Sequence, residues 1–392
     1  MKIYISVFTL LCAMVWGCQP QLEPMASPTT CASFYDNLSQ HPRAAQYQQI
    51  LDRNRERNMV GATLLIKDRD GVWVGKSGSA DLAAQRSMQS CDRMMIASIS
   101  KPFTSVVIFK LIEAGLLSLD TPIREVIAAD VREKVPNAEE VEIHHLLTHR
   151  SGIPDYYNLS FLLDQLNVDR NRHSQEALME IYVYGKKADF APGETYAYSN
   201  SNFVLLGMIA ERVSGQSLQE LYEGYIFQPL GLESAYYDPV TPLPDDMSKG
   251  YTDLYGNGDV VESMFLYGDE TSTGDGGIVM NAHDLLRFFE ALFSGNLISD
   301  ASFQQLTSLF TLPENEQDRE YLGQLQNGYG IEHFEVDGKA AFGHTGAVFG
   351  YLSMAFYYPE DDFAFIQLTN TASYEFEPRV DMFREAFELM WE

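Results

Sequence analysis

Basic residues are scarce in this chain. Its 392 residues include 27 Lys and Arg against 55 Asp and Glu, a formal net charge of -28. No stretch clusters Lys and Arg as a phosphate-binding surface requires, so nucleic acid is excluded as a partner. Acidity on this scale reads as a well-solvated surface. No apolar run reaches the roughly 18 residues of a membrane span, and the run from Ile3 to Trp16 falls short of it. H-E-x-x-H is absent, which leaves His144, His145 and His149 outside the usual zinc-helix frame, and no metal or other cofactor is expected. G-x-S-x-G is also absent, which removes the common nucleophile elbow. There are no internal repeats and no low-complexity tracts. With 45% hydrophobic residues, the chain has enough apolar surface for one large core or two lobes.

Cysteine is scarce too, at four residues, and each has a distinct prospect. Residues 1–17 hold one basic residue, Lys2, followed by the apolar run, and read as an export signal that carries Cys12 away with it. Val15-Trp16-Gly17-Cys18 resembles a bacterial lipoprotein signal, in which Cys18 is lipidated and becomes the mature amino terminus. Trp16 stands where such signals carry a small or β-branched residue, so plain secretion is the alternative. Gln19 in place of an aspartate points, by the same resemblance, to the outer membrane. Cys31 and Cys91 then remain, and in an oxidising compartment an even remainder suggests a bridge, with two free thiols as the alternative. A bridge would close a loop of about 60 residues and contribute about 4 kcal/mol in the chain-entropy account. Residues 18–44, rich in Pro, Ser, Thr and Gln, read as a flexible tether.

A helix is expected from about Pro42 to Asn58, followed by strands at Val60 to Lys67 and Val72 to Gly78 joined by the turn Asp68-Arg69-Asp70-Gly71. Gly71 to Ser77 looks like a phosphate-binding loop, but it is one residue short between its glycines and falls inside a strand. From Phe103 to Leu116 the pattern is apolar nearly all round, which predicts a central buried helix. Helical patterns then dominate, at Ile143 to His149, Ser174 to Tyr184, Ser201 to Val213, Ser217 to Ile226 and Ala282 to Phe293. Strand patterns return at Gly328 to Val336, Lys339 to Phe342, Phe349 to Tyr358 and Phe363 to Asn370, before a closing helix from about Phe376 to Trp391. The fold class is therefore α/β in the α+β sense. An antiparallel sheet flanked by helices is built from both chain ends, 45–120 and 325–392, and a mainly helical lobe, 121–324, is inserted into it. The crevice between the lobes is the default site.

Three stretches carry candidate chemistry. In Met94 to Phe103, Ser98 precedes Lys101 by three residues at the mouth of the central helix, so the two share a face near unpaired backbone N–H groups. A desolvated lysine with a lowered pKa can take a serine proton and make the hydroxyl a nucleophile. In Ala191 to Asn200, a loop running into a helix delivers the phenol of Tyr198 and the amide of Asn200. In Phe342 to Ala347, small residues let a substrate backbone lie along a strand edge, and His344 offers a tunable positive charge. Each stretch alone has an ordinary structural explanation. Gly274-Asp275-Gly276-Gly277 reads as a tight turn beside the crevice, while Tyr156 and Tyr157 either line the crevice or cap their loop.

Together Ser98-x-x-Lys101, Tyr198-x-Asn200 and His344-Thr345-Gly346 resemble the penicillin-recognising serine hydrolases: class C β-lactamases, D-alanyl-D-alanine carboxypeptidases and related esterases. Leu146 to Pro154, Pro229 to Leu232, Gly276-Gly277-Ile278 and Asp284-Leu285 are similar to further segments of that family, over roughly residues 45 to 392. The resemblance implies a β-lactamase/transpeptidase-like fold in which Ser98 attacks a carbonyl and Lys101 and Tyr198 carry its proton, with either as the base. Asn200, His344, Thr345, Gly346 and Ala347 would hold the substrate, with the backbone N–H groups of Ser98 and Ala347 as the oxyanion hole. The resemblance implies a small-molecule or peptide substrate, hydrolysed as an amide, peptide or ester. Class C β-lactamases carry lysine where this chain has His344, which sets β-lactam hydrolysis behind peptidase or esterase activity. A non-hydrolytic penicillin-binding sensor is the remaining alternative.

Overall fold

The structure, a computed structural model, describes residues 40–165, 174–237, 246–254, 256–263, 273–318, 322–373 and 377–392. The expected signal peptide, most of the expected tether, Cys12, Cys18 and Cys31 lie outside the described residues. Cys91 is nearly buried and disulfide-bonded.

One antiparallel sheet of nine strands forms the frame. In chain order these are β1 (Gly61–Asp68), β2 (Gly71–Asp81), β3 (Arg86–Ser87), β4 (Phe310–Thr311), β5 (Gln324–Asn327), β6 (Glu332–Val336), β7 (Lys339–Val348), β8 (Tyr351–Tyr358) and β9 (Phe363–Thr369). Their spatial order is β3-β2-β1-β9-β8-β7-β6-β5-β4, so β1, from the first part of the chain, pairs with β9, near its end. Both faces of the middle strands are covered, which explains why β1 and β8 read as almost unbroken apolar runs. The two-residue side-chain period divides β1 between two cores. Leu64 and Ile66 join the outer core, and Leu65 joins the inner one.

The outer face is packed by helix α1 (Ala44–Arg55) and the C-terminal helix Glu377–Trp391. Tyr47, Trp73, Phe356, Phe365, Phe383 and Phe387 fill that core. The inner face meets the central helix α2 (Ser100–Glu113), whose residues from Ser100 to Phe109 are all buried. A helix buried all round cannot be placed by an apolar stripe, and α2 is held by partners on every side. Among these are α3 (Asn200–Ser214) and α4 (Ala282–Phe293), the latter through Phe103 stacked on Phe288 at 3.6 Å between ring centroids.

Several expected boundaries move for physical reasons. The central helix starts three residues earlier than its apolar pattern, because Pro102 lies in the first turn, where no N–H is needed. It ends before Gly115, whose φ of 72° breaks the helix, and Leu116 is left exposed. The segment from Ser217 forms a helix only over Leu218–Tyr222 and then widens into a π turn, Glu223–Phe227. The sheet also reaches back before residue 325, to β4 and the start of β5. A two-residue strand is too short to show alternation. Gly71 to Ser77 lies within β2, which leaves no phosphate loop there.

Replacing Phe103 by Ala removes a fully buried ring from the contact between α2 and α4. A loss of about 3–5 kcal/mol is expected, read as a lower denaturant midpoint at unchanged slope.

Candidate active site

Ser98 is presented by a short, strained turn. Met94–Met95 pair with Ile278–Met280, and the Ile96 N–H donates to the Ile278 carbonyl at 3.1 Å. Ala97 then takes φ = 50°, a conformation that costs an alanine about 1–2 kcal/mol. The 3₁₀ turn Ala97–Ile99 carries Ser98 directly into α2. The strain is held from the sheet side. The Ser353 hydroxyl on β8 donates to the Ile96 carbonyl at 2.9 Å, and Gly346 on β7 lies against the same turn. A Cβ at Gly346 would stand 2.4 Å from the Ile96 oxygen and 2.3 Å from Ser353 Oγ, so only glycine fits.

Lys101 points back to Ser98 from the first turn of α2. Its Nζ lies 2.9 Å from Ser98 Oγ, 2.8 Å from Asn200 Oδ1 and 3.1 Å from the Asp275 carbonyl oxygen. The side chain is fully buried, and burial pulls its pKa down to about 8 against the opposing pull of Asp275, Asp155 and Glu332. Asn200 starts α3, where its backbone N–H and its side-chain Nδ2 both donate to the Asp155 carboxylate, at 3.0 and 3.1 Å. This fixes which end of the amide faces Lys101. Partial burial pushes the Asp155 carboxyl up to about 6. Asp155 directly follows the Leu146 to Pro154 segment, and nothing in the sequence ties it to Asn200, 45 residues on.

The Tyr198 side chain lines the cavity beside Ser98, and burial, with Glu332 nearby, holds its phenol protonated well above the usual range. Its ring stacks on His149 at 4.4 Å. His149 is buried and takes φ = 54°, and its Nδ1 accepts from the Ser199 N–H at 3.1 Å. Burial and the nearby Lys101 keep the imidazole neutral. His149 therefore places the phenol.

The opposite wall is β7. His344 does not supply the expected positive charge: it is 3% exposed, and burial next to Lys101 pushes its pKa down to about 3. It is neutral at pH 7, with Nδ1–H donating to the Thr345 carbonyl. A carboxylate that the motifs do not mark, Glu332 on β6, lies beside it. Glu332 Oε2 accepts the Thr345 N–H at 2.9 Å and stands 3.6 Å from His344 Nδ1. Burial pushes this carboxyl up to about 7. The two-residue period of β7 turns the Ala347 N–H to the same edge as that of Thr345, beyond the last β6 partner, where Glu332 pairs with Gly343. Ser98, Tyr198, Asn200, His344, Thr345, Gly346 and Ala347 all line one cavity of about 790 Å³, together with Tyr156 and Tyr157.

A family model described as Beta-lactamase matches residues 43–387. The chain belongs to the beta-lactamase family. It is 28% identical over 338 residues to penicillin-binding protein 4* of Bacillus subtilis, which covers 82% of this chain and 71% of that protein. It is also 28% identical over 317 residues to the D-aminopeptidase of Brucella anthropi, covering 79% of this chain and only 56% of that protein's length. Among solved structures, the octameric penicillin-binding protein homologue from Pyrococcus abyssi matches with a TM-score of 0.75 at 28% identity, over 88% of this chain and 77% of that one.

The Gly274 to Gly277 segment serves this family site as a turn, its Asp275 carbonyl on Lys101 and its Asp275 Oδ2 accepting the Tyr156 hydroxyl at 2.9 Å. Glu142, His144 and His145 form a group among the described residues that could hold a metal ion. None of the three lines the cavity, and His145 Nδ1 is already used by the Glu142 N–H in a helix cap.

Asp155→Ala leaves the two Asn200 donors without their acceptor, an expected loss of about 1–3 kcal/mol in thermal or denaturant unfolding. It also removes a negative charge that raises Lys101. The pH of half-maximal reaction of Ser98 with a serine-directed phosphonate should therefore move below its wild-type value, a shift that a purely structural role would not cause.

Proposed function

We propose that this chain is a serine hydrolase that works through an acyl-enzyme on a small peptide, amide or ester. The observation that carries the reading is the 2.9 Å approach of a fully buried Lys101 Nζ to Ser98 Oγ at the floor of an open cavity. With a pKa near 8, Lys101 is neutral in a useful fraction of molecules at working pH, whereas Tyr198 is not ionised. Lys101 is thus the group that takes the Ser98 proton as Oγ bonds to the substrate carbonyl carbon. The carbonyl oxygen, now negative, is received by the N–H groups of Ser98 and Ala347. Tyr198 passes a proton to the leaving atom as its bond to the carbonyl carbon breaks, and Lys101 restores the phenol. Water then attacks the acyl-Ser98 ester by the reverse proton path. The D-aminopeptidase and penicillin-binding protein relatives support a peptide or amide substrate.

Ser98→Ala should abolish both turnover and phosphonate labelling while the melting temperature holds. A variant keeping a tenth of the activity would remove Ser98 as nucleophile. Lys101→Ala should lose at least about a hundredfold, within the range of general-base contributions. Because the base must be unprotonated, kcat/KM should rise with pH to a half-maximum near 8 and fall about tenfold per pH unit well below it.

We also propose that the chain is exported and anchored by a lipid on Cys18. The disulfide at Cys91 supports an oxidising compartment. Among the described residues, no helix is long and apolar enough to cross a membrane. Cys18→Ser should move the protein from the membrane fraction to the soluble exported fraction. Continued membrane retention of the variant would discard the anchor.

A further inference from the structure

The acyl-enzyme reading fixes where the leaving group must lie, and the structure places a carboxylate there. The acyl oxygen is directed to the N–H groups of Ser98 and Ala347, and the leaving atom must face the Tyr198 hydroxyl that protonates it. The Tyr198 ring stands 6.2 Å from the His344 ring, so the leaving group passes over His344 and Thr345. The donors on that stretch of β7 are already engaged. The Thr345 N–H donates to Glu332 Oε2 at 2.9 Å, and the Thr345 hydroxyl faces the same oxygen at 3.5 Å. The His344 Nδ1–H is given to the Thr345 carbonyl. Lys101 has its three acceptors in Ser98, Asn200 and the Asp275 carbonyl. A substrate carboxylate arriving at this stretch of β7 would meet a carboxylate of like charge that already holds the Thr345 donors.

We propose that Glu332 is a specificity-determining residue: its carboxylate takes the donors of β7 that would hold an anionic leaving group, so the enzyme accepts neutral and cationic leaving groups and rejects those bearing a carboxylate. The inference rests on the acyl-enzyme reading and deepens it. It separates amide, ester and aminopeptide substrates from peptides whose last residue leaves with its free carboxylate. Glu332 is 6% exposed and lines the cavity, so its charge acts with little screening by solvent. At pH 8, above the value of about 7 that burial gives it, it is mostly ionised.

Three thioesters with one common phenylacetyl group test this. The leaving thiols are 3-mercaptopropionate, its methyl ester and thiocholine, and release is followed with a thiol reagent at pH 8. Wild-type kcat/KM should be at least about tenfold lower for the anionic thiol than for the neutral one, with thiocholine at least equal to the neutral ester. Glu332→Gln keeps an acceptor for the Thr345 N–H and should bring the anionic-to-neutral ratio within about threefold of unity. The ratio is internal to each protein, so a general loss of activity in the variant cancels. Equal wild-type rates on the anionic and neutral thioesters would overturn the proposal, and that comparison needs no variant. A ratio unmoved by Glu332→Gln would overturn the assignment to this residue. Failure of all three thioesters would remove the acyl-enzyme reading itself, and this inference with it.

Discussion

A lysine amine buried away from bulk solvent is the constraint that the site is built to satisfy. Lys101 has no exposed surface, and its nearest partners are a hydroxyl, an amide oxygen and a backbone carbonyl. None of them carries a full negative charge, so the ammonium form is under-compensated. The carboxylates that support it, Asp275, Asp155 and Glu332, act from further away. The result is a pKa near 8 instead of the ordinary 10.5, a difference of about 3 kcal/mol in favour of the neutral amine. Each of the three neighbours comes from a different part of the chain, so the amine can be desolvated and oriented only when the whole core closes around α2.

The serine side of the pair depends on strain held by the sheet. Ala97 adopts its unfavourable φ because Ile96 is tied to Ile278 on one side and to Ser353 on the other, with Gly346 allowing β7 to approach. A flexible loop could present Ser98 without strain, but it could not hold Oγ at a fixed distance from Lys101 while Ala347 faces the same point. The rigid antiparallel frame, with β7 continuing from Lys339 to Val348, sets the positions of both Ala347 and the turn that carries Ser98.

The sequence shows the parts of this arrangement that are local and leaves out those that are not. Ser98 with Lys101, and Tyr198 with Asn200, are legible because each pair is close in the chain and stands at a helix start. The two-ended sheet is legible because strand patterns appear early and late with helices between. Asp155 and Glu332 are not legible, because their partners are reached only through the fold. Asn200 is 45 residues from Asp155, and Thr345 is 13 residues from Glu332 on a neighbouring strand. His344 shows the reverse error. Its residue type suggests a charge near neutral pH, but the strand that carries it faces the buried Lys101, and desolvation removes the charge. Residue type gives the ordinary pKa, and only three-dimensional surroundings give the actual one.

Glu332 joins substrate choice to proton chemistry in one side chain. Its negative charge opposes an incoming carboxylate, and it also raises the pKa of Lys101 and of Tyr198. A chain that replaced it with a neutral residue would gain room for anionic leaving groups and would at the same time hold Lys101 at a lower pKa. That base would be free at lower pH, though weaker when it takes the serine proton. Substitution at this position therefore moves specificity and the pH range of activity together. The arrangement also accounts for a neutral histidine being sufficient at His344: where the chain's own carboxylate already holds the Thr345 donors, a fixed cation on β7 would be neutralised by Glu332 before it met a substrate.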